Sequence, residues 1–402
     1  MSEIDDLSQD DEPLDEAAPA LPLAPSDKAI EKEFSSGRLR VVQDRNDFFL
    51  PHVVDFIEGR KWGNLRPEYQ RRLRWDNAKK SRLIESFIMN VPVPPVFLYE
   101  KAIGAFEVMD GQQRLNAVLQ FLNGEFSLTG LKIWPSLNGR RFKDLPPLIR
   151  KGLERSKISA ITLMSDNALS EEDSIDLRAQ VFDRLNTGGE SLNPQELRNS
   201  LYSGSFNKLV VNLARVKQFT DAWEIPSHEE HTLSDGSPSR DLRDNNLFKR
   251  MLDCEIVLRF FAFRDRVHVV GSVKSILDNT MRRYRHVDAD VIAQLGRTFE
   301  STLANVLLVF GEESFRLPKN DKGQAILSRP LYDAQMVAME LLADRIDDLV
   351  EYRADVRAAV HNLARPGSDT YDLIVGRANT AAAIKERIDA VHLAMLRAVD
   401  RD

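Results

Sequence analysis

What the chain lacks narrows its class first. A single cysteine, Cys254, stands among 402 residues, so no internal disulfide can form and a disulfide-stapled scaffold is excluded. The lone thiol reads as a small buried helix residue in a reducing compartment, and the expected location is the cytoplasm. No apolar run approaches the roughly 20 residues that span a bilayer, so no membrane partner is expected. The N-terminus is acidic and has no apolar h-region, and it does not read as a signal peptide. Histidine is scarce, seven in all, and only His228 and His231 approach metal-ligand spacing. With no cysteine and no second pair near them, a metal site there is not expected. An excess of basic charge is missing too: 55 Lys and Arg face 62 Asp and Glu.

That charge is unevenly placed. Residues 1–30 hold nine acidic side chains against Lys28 alone, and the remainder is close to neutral, with 53 acidic and 54 basic residues. Any attraction for phosphate must therefore come from local patches. Residues 1–35, rich in Asp, Glu, Ala and Pro, cannot bury enough surface to offset the entropy of ordering and read as a disordered acidic tail. The length suits two domains, and a polar stretch at 224–243 with Pro226, Gly236 and Pro238 reads as the loop between them. The expected fold class is α+β: a small mixed sheet with helices over 36–223, then an all-α domain over 244–402. A long helix is expected to begin at Leu247. Further helices are expected near 272–283, 289–310, 328–346, 350–363 and 380–399, with no repeat period.

Phe106–Gly124 is the stretch around which the first domain is organised. It reads as a short apolar strand, an abrupt polar turn Asp110-Gly111-Gln112-Gln113-Arg114, and an amphipathic helix with Leu115, Val118, Leu119 and Leu122 on one face. A strand, a Gly-containing turn and a helix make an anion site, because the first helical amides have no intrahelical acceptors and carry the positive end of the helix dipole. The plainer alternative, an Asp110 N-cap with a solvated first turn, stays open on pattern alone. Ahead of it lies a segment with seven basic residues between Arg66 and Arg82, Tyr69 and Trp75 interleaved. Arg forks and aromatic faces of this kind suit phosphates and bases, although a charged helix face would look similar.

Other elements follow from local signals. A strand is expected around Leu39–Gln43, and a helix from Pro51 to Glu58 with Gly59 at its stop. Asp76 should cap a helix ending near Asn90, and Val91-Pro92-Val93-Pro94-Pro95 should force an extended crossing into a strand at Val96–Tyr99. Strand-like pieces follow at 126–131, 132–134 and 158–163, with a helix at 147–155. Ser170 and Asp173 read as a capping box, as do Asn193 and Glu196 with Pro194 at the first helical position.

Taken in order, Pro67-Glu68-Tyr69-Gln70-Arg71 with Trp75, Val93-Pro94-Pro95, Asp110–Arg114, Phe182–Gly188 and Leu192–Arg198 resemble the N-terminal domain of GmrSD-type restriction endonucleases. The resemblance covers about residues 40–265. That family of prokaryotic defence-associated proteins is similar in fold to ParB and sulfiredoxin. The resemblance implies a site that binds and hydrolyses a nucleoside triphosphate to regulate action on phage or modified DNA. A sensor or adaptor that binds nucleotide or DNA without hydrolysis is the alternative. Carried over by position, Asp110, Gln112, Gln113 and Arg114 are the expected catalytic residues. Tyr69, Gln70, Arg71, Gly111, Asn186 and Thr187 are the expected nucleotide contacts.

Mg²⁺ is the expected ion, with Asp110 its nearest candidate ligand. Arg72, Arg74, Lys79 and Lys80 are the expected DNA contacts. Relatives that cut DNA often carry a His-Asn-His nuclease domain, whereas His268, His286, His361 and His392 are scattered here. This chain alone is therefore not expected to cut DNA, and a separate nuclease or effector subunit is the expected partner. Oligomeric state is left open, with a homo-oligomer among the alternatives.

Overall fold

The computed structural model describes residues 26–35, 41–59, 63–64, 75–165, 193–233, 238–319 and 323–400, together with 175, 177–181 and 184. Two compact units divide these residues, the first ending ahead of Leu192 and the second beginning there. The first unit is α+β and the second, among the described residues, is helical apart from isolated bridges.

The first unit is built on a five-stranded mixed sheet, β1 (Val41–Phe49), β2 (Gly63–Asn64), β3 (Val96–Ala102), β4 (Ala105–Asp110) and β5 (Lys157–Ser165), in the order β1-β5-β3-β4-β2. β3 and β4 form a hairpin that places Phe97 opposite Asp110, and β5 runs parallel to β3 and antiparallel to β1. One face of the sheet carries the core: Val96, Leu98 and Val108 pack with Leu115, Val118, Leu119 and Phe121 of α4 (Gln112–Leu122) and Ile84 and Phe87 of α3 (Asn77–Ile88). Burying such side chains contributes about 1.5–3 kcal/mol each. The other face holds a buried ion pair, Arg178 with Glu107 at 2.9 Å, the guanidinium lying over the Tyr99 ring.

Local signals explain most of these elements. Asp76 caps α3, its carboxylate accepting from the Lys79 amide at 2.7 Å. The last part of the expected disordered tail is a helix, α1 (Asp27–Ser35), and the helix expected at 51–58 is a short α2 (Leu50–Val54) that widens into a π-helical turn at Asp55–Gly59. The expected strand pieces at 126–131 and 132–134 are not strands. There the backbone bonds to side chains instead of a ladder: Asn138 brackets both peptide groups of Leu131, and the buried Glu85 carboxylate accepts from the Ile133 and Trp134 amides. The helix at Pro147–Arg155 is present as α5.

In the second unit, Asn193 and Glu196 form the expected capping box ahead of Pro194–Leu201. The long helix expected from Leu247 is broken. Asn246–Lys249 ends, Met251 takes the left-handed conformation at φ 56°, and Leu252–Phe263 starts anew. Asn193 explains the break, since its side-chain amide captures the Arg250 carbonyl at 2.6 Å. The helix at Leu252–Phe263 is buried on every side, as is most of Arg329–Leu341. Charges inside such helices need partners, and Arg259 grips Asp333 through both carboxylate oxygens. A second cluster joins Arg198 and Arg329 to Glu255. The unit's aromatic core runs through Phe219, Phe260, Phe261 and Phe299, and Trp223 stacks on Phe315.

Candidate functional site

The turn between β4 and α4 is built by one glycine. Gly111 sits at φ 94°, ψ 8°, in the left-handed region, and serves as the helix N-cap. A Cβ there would lie 2.4 Å from Cγ1 of Val96 and 2.9 Å from its Cβ, so both the backbone angle and the space call for glycine. Asp110 is therefore the last strand residue and not the cap. Its carboxylate, 43% exposed, receives Arg114 Nη2 at 2.6 Å one helical turn on. The same nitrogen donates to the Pro95 carbonyl at 3.3 Å. Arg114 is 15% exposed, and its Nε has no hydrogen-bond partner among the described residues. The result is a half-exposed ion pair above the first turn of α4, where amides lack intrahelical acceptors.

The two glutamines are buried. Gln113 Oε1 accepts from the Trp75 amide at 3.3 Å, which joins the turn to the residue ahead of the Asp76 cap of α3, within the basic segment. Lys79 and Lys80 lie on α3, Lys79 over the Trp75 ring at 5.2 Å and Lys80 over the Phe126 ring at 5.5 Å. The structure thus brings together Asp110, Gly111, Gln112, Gln113 and Arg114, with Pro95 and Trp75 against them and α3 alongside. Tyr69, Gln70, Arg71, Arg72, Arg74, Asn186 and Thr187 lie outside the described residues, as does the expected capping box at Ser170.

Chemically, the turn offers one carboxylate, one guanidinium and a helix N-terminus on a rigid strand-to-helix corner. No group of three or more His, Cys, Asp or Glu side chains suited to a metal occurs among the described residues. His231 Nδ1 lies 3.1 Å from the Ser227 carbonyl oxygen, and the His228 ring packs on Phe248. No described helix is long and apolar enough to cross a membrane. Two features escaped the sequence reading: Pro95 as an acceptor for Arg114, and a second basic run at 132–157, whose cations are spaced too widely to stand out as a cluster.

An α+β domain with an ion-paired, glycine-built corner between strand and helix is the class that the fold and site define. Residues 53–203 match the family model described as GmrSD restriction endonuclease, N-terminal domain. The match associates the chain with restriction and defence. No curated protein and no solved structure matches the chain.

Proposed function

We propose that the corner at Asp110–Arg114 binds the phosphates of a nucleoside triphosphate and supports their hydrolysis, and that this reaction regulates action on phage or modified DNA. The observation that carries the reading is the Asp110–Arg114 ion pair held above the first turn of α4. An arginine and the positive end of a helix dipole neutralise the charge that spreads over phosphoryl oxygens during transfer. Tyr69, Gln70, Arg71, the Gly111 backbone, Asn186 and Thr187 complete the nucleotide contacts. Arg72, Arg74, Lys79 and Lys80 meet DNA.

Asp110 is the residue that would hold Mg²⁺. A single half-exposed carboxylate fits that ion, which is commonly bound through one or two carboxylates and the substrate's own phosphates. Bound there, the ion would supply charge neutralisation at the phosphates. Gln112 orients water, while Gln113 braces Trp75 and so keeps the corner in place. The same reading gives the first unit a ParB- and sulfiredoxin-like fold, a cytoplasmic location and a separate nuclease or effector subunit as partner. Self-association is read by sedimentation of the purified chain.

Phosphate release from each triphosphate with Mg²⁺, measured for the wild-type chain and Arg114→Ala, tests the central step. Removing a donor to the developing charge should slow release by about 10²-fold or more. No release by the wild type, or equal release by both, overturns hydrolysis. Nucleotide binding without release would instead assign the chain as a sensor or adaptor.

A further inference from the structure

Away from the corner, the first unit carries a charged surface that its nucleotide chemistry does not use. Residues 132–157 hold eight Lys or Arg against two acids, Asp144 and Glu154, in a chain whose body is otherwise balanced. The structure sets the first part of this run beside α3. Glu85 of α3 accepts from the Ile133 and Trp134 amides, and Ser81 Oγ accepts from the Thr129 amide at 2.9 Å. Arg82, on the same helix, is exposed, as are Lys132, Arg140, Arg141 and Lys143. Among the described residues no acidic side chain is paired with Arg82 or Lys132. Ile133 and Trp134 stand among these cations at 61% and 40% exposure.

We propose that α3 and the loop 126–146 form a docking surface for the phosphate backbone of duplex DNA, with Trp134 as its apolar contact. The inference rests on the reading that this chain acts on DNA, and it says where. Three observations separate it from an ordinary solvated face. Arg82 and Lys132 are unneutralised and therefore attract a polyanion. The loop is held before binding: Asn138 brackets Leu131, Leu128 is bonded to Gly139 and Arg140, and Glu85 fixes Trp134, so little ordering entropy is lost when DNA docks. The exposed tryptophan supplies a flat surface for sugar or base edge where a purely solvating face would carry polar groups. One exposed aromatic does not make a single-strand groove, which stacks successive bases on several rings. The Gln113–Trp75 bond links this surface to the corner through the start of α3.

The test is fluorescence anisotropy of a labelled duplex, and of a single strand of equal length, across a KCl series. It uses the full chain, the double variant Arg82→Gln with Lys132→Gln, Trp134→Ala, and Arg377→Glu in the second unit as a charge-matched control. The double variant should weaken duplex binding by at least about tenfold at low salt and reduce the salt slope by about 0.9 for each phosphate that is no longer neutralised. Trp134→Ala should weaken binding without changing that slope. Circular dichroism of each variant confirms that it folds.

A wild type that binds no duplex, a double variant indistinguishable from Arg377→Glu, or a preference for the single strand overturns the proposal. Triphosphate hydrolysis without DNA should be unchanged in the double variant. A chain that hydrolyses nothing yet loses duplex binding in that variant refutes the hydrolysis reading and leaves this surface standing.

Discussion

Gly111→Ala isolates what the corner requires of its backbone. A residue with a Cβ in the left-handed region costs about 1–2 kcal/mol. At Gly111 the new methyl would also meet Cγ1 of Val96 at 2.4 Å, an overpacking penalty of about 1–3 kcal/mol where the neighbour is a core side chain. The sum is about 2–5 kcal/mol. Gly104, at the β3–β4 hairpin, supplies the control. It has φ 75°, but a Cβ there meets nothing within 4 Å, so Gly104→Ala should cost only the backbone term. Native-state hydrogen exchange of the α4 amides in the full chain reads both. Adding Val96→Ala removes Cγ1, and the combined variant should be more stable than the two single losses added together. Equal protection in Gly111→Ala and Gly104→Ala, or strict additivity with Val96→Ala, refutes the steric account.

The second unit and the surface pairs yield further expectations. Asn193→Ala removes the cap and the grip on the Arg250 carbonyl, and should lower stability by about 1–2 kcal/mol, seen as a lower urea midpoint. Asp333→Asn leaves Arg259 charged, buried and without its carboxylate, and should cost about 3–5 kcal/mol in the unfolding of the helical unit. The Arg266 guanidinium holds the Asp389 carboxyl below its ordinary value of 3.8, against the opposing effect of burial. A lowered value makes the folded state favour the charged form, so this contribution is present above pH 3.8 and disappears as pH falls through the folded value. Because the pair is substantially exposed, Asp389→Asn should cost no more than about 1 kcal/mol at neutral pH and flatten the acid limb of the stability curve.

The strand, turn and helix around Asp110, the Asp76 cap and the Asn193–Glu196 box were legible because each is a local signal, decided by residues within a turn of one another. The breaks were not. Met251 interrupts an apolar helical period because Asn193, far away in sequence, takes the Arg250 carbonyl. The segment at 126–134 has strand-like composition but is shaped by Glu85 and Asn138, whose bonds no periodicity reveals. At the site, the sequence named the five corner residues but not their division of labour. Reading Asp110 as the cap followed from residue preference, and the left-handed Gly111 took that position instead. Arg114 was legible as a site residue, but not the two acceptors that hold it, the Asp110 carboxylate and the Pro95 carbonyl.

The bond from Gln113 to Trp75 bears on how loss-of-function data at this corner can be interpreted. A side chain that braces a neighbouring backbone fails in two ways when truncated, by removing chemistry and by loosening the wall on which that chemistry stands. A loss of activity on alanine substitution at Gln113 would therefore fit either explanation, and so would one at Arg114, which is bonded to Asp110 and Pro95. Shape-preserving exchanges separate them: Gln113→Glu keeps an acceptor for the Trp75 amide while changing the charge at the corner, and Arg114→Lys keeps a cation while giving up the planar fork.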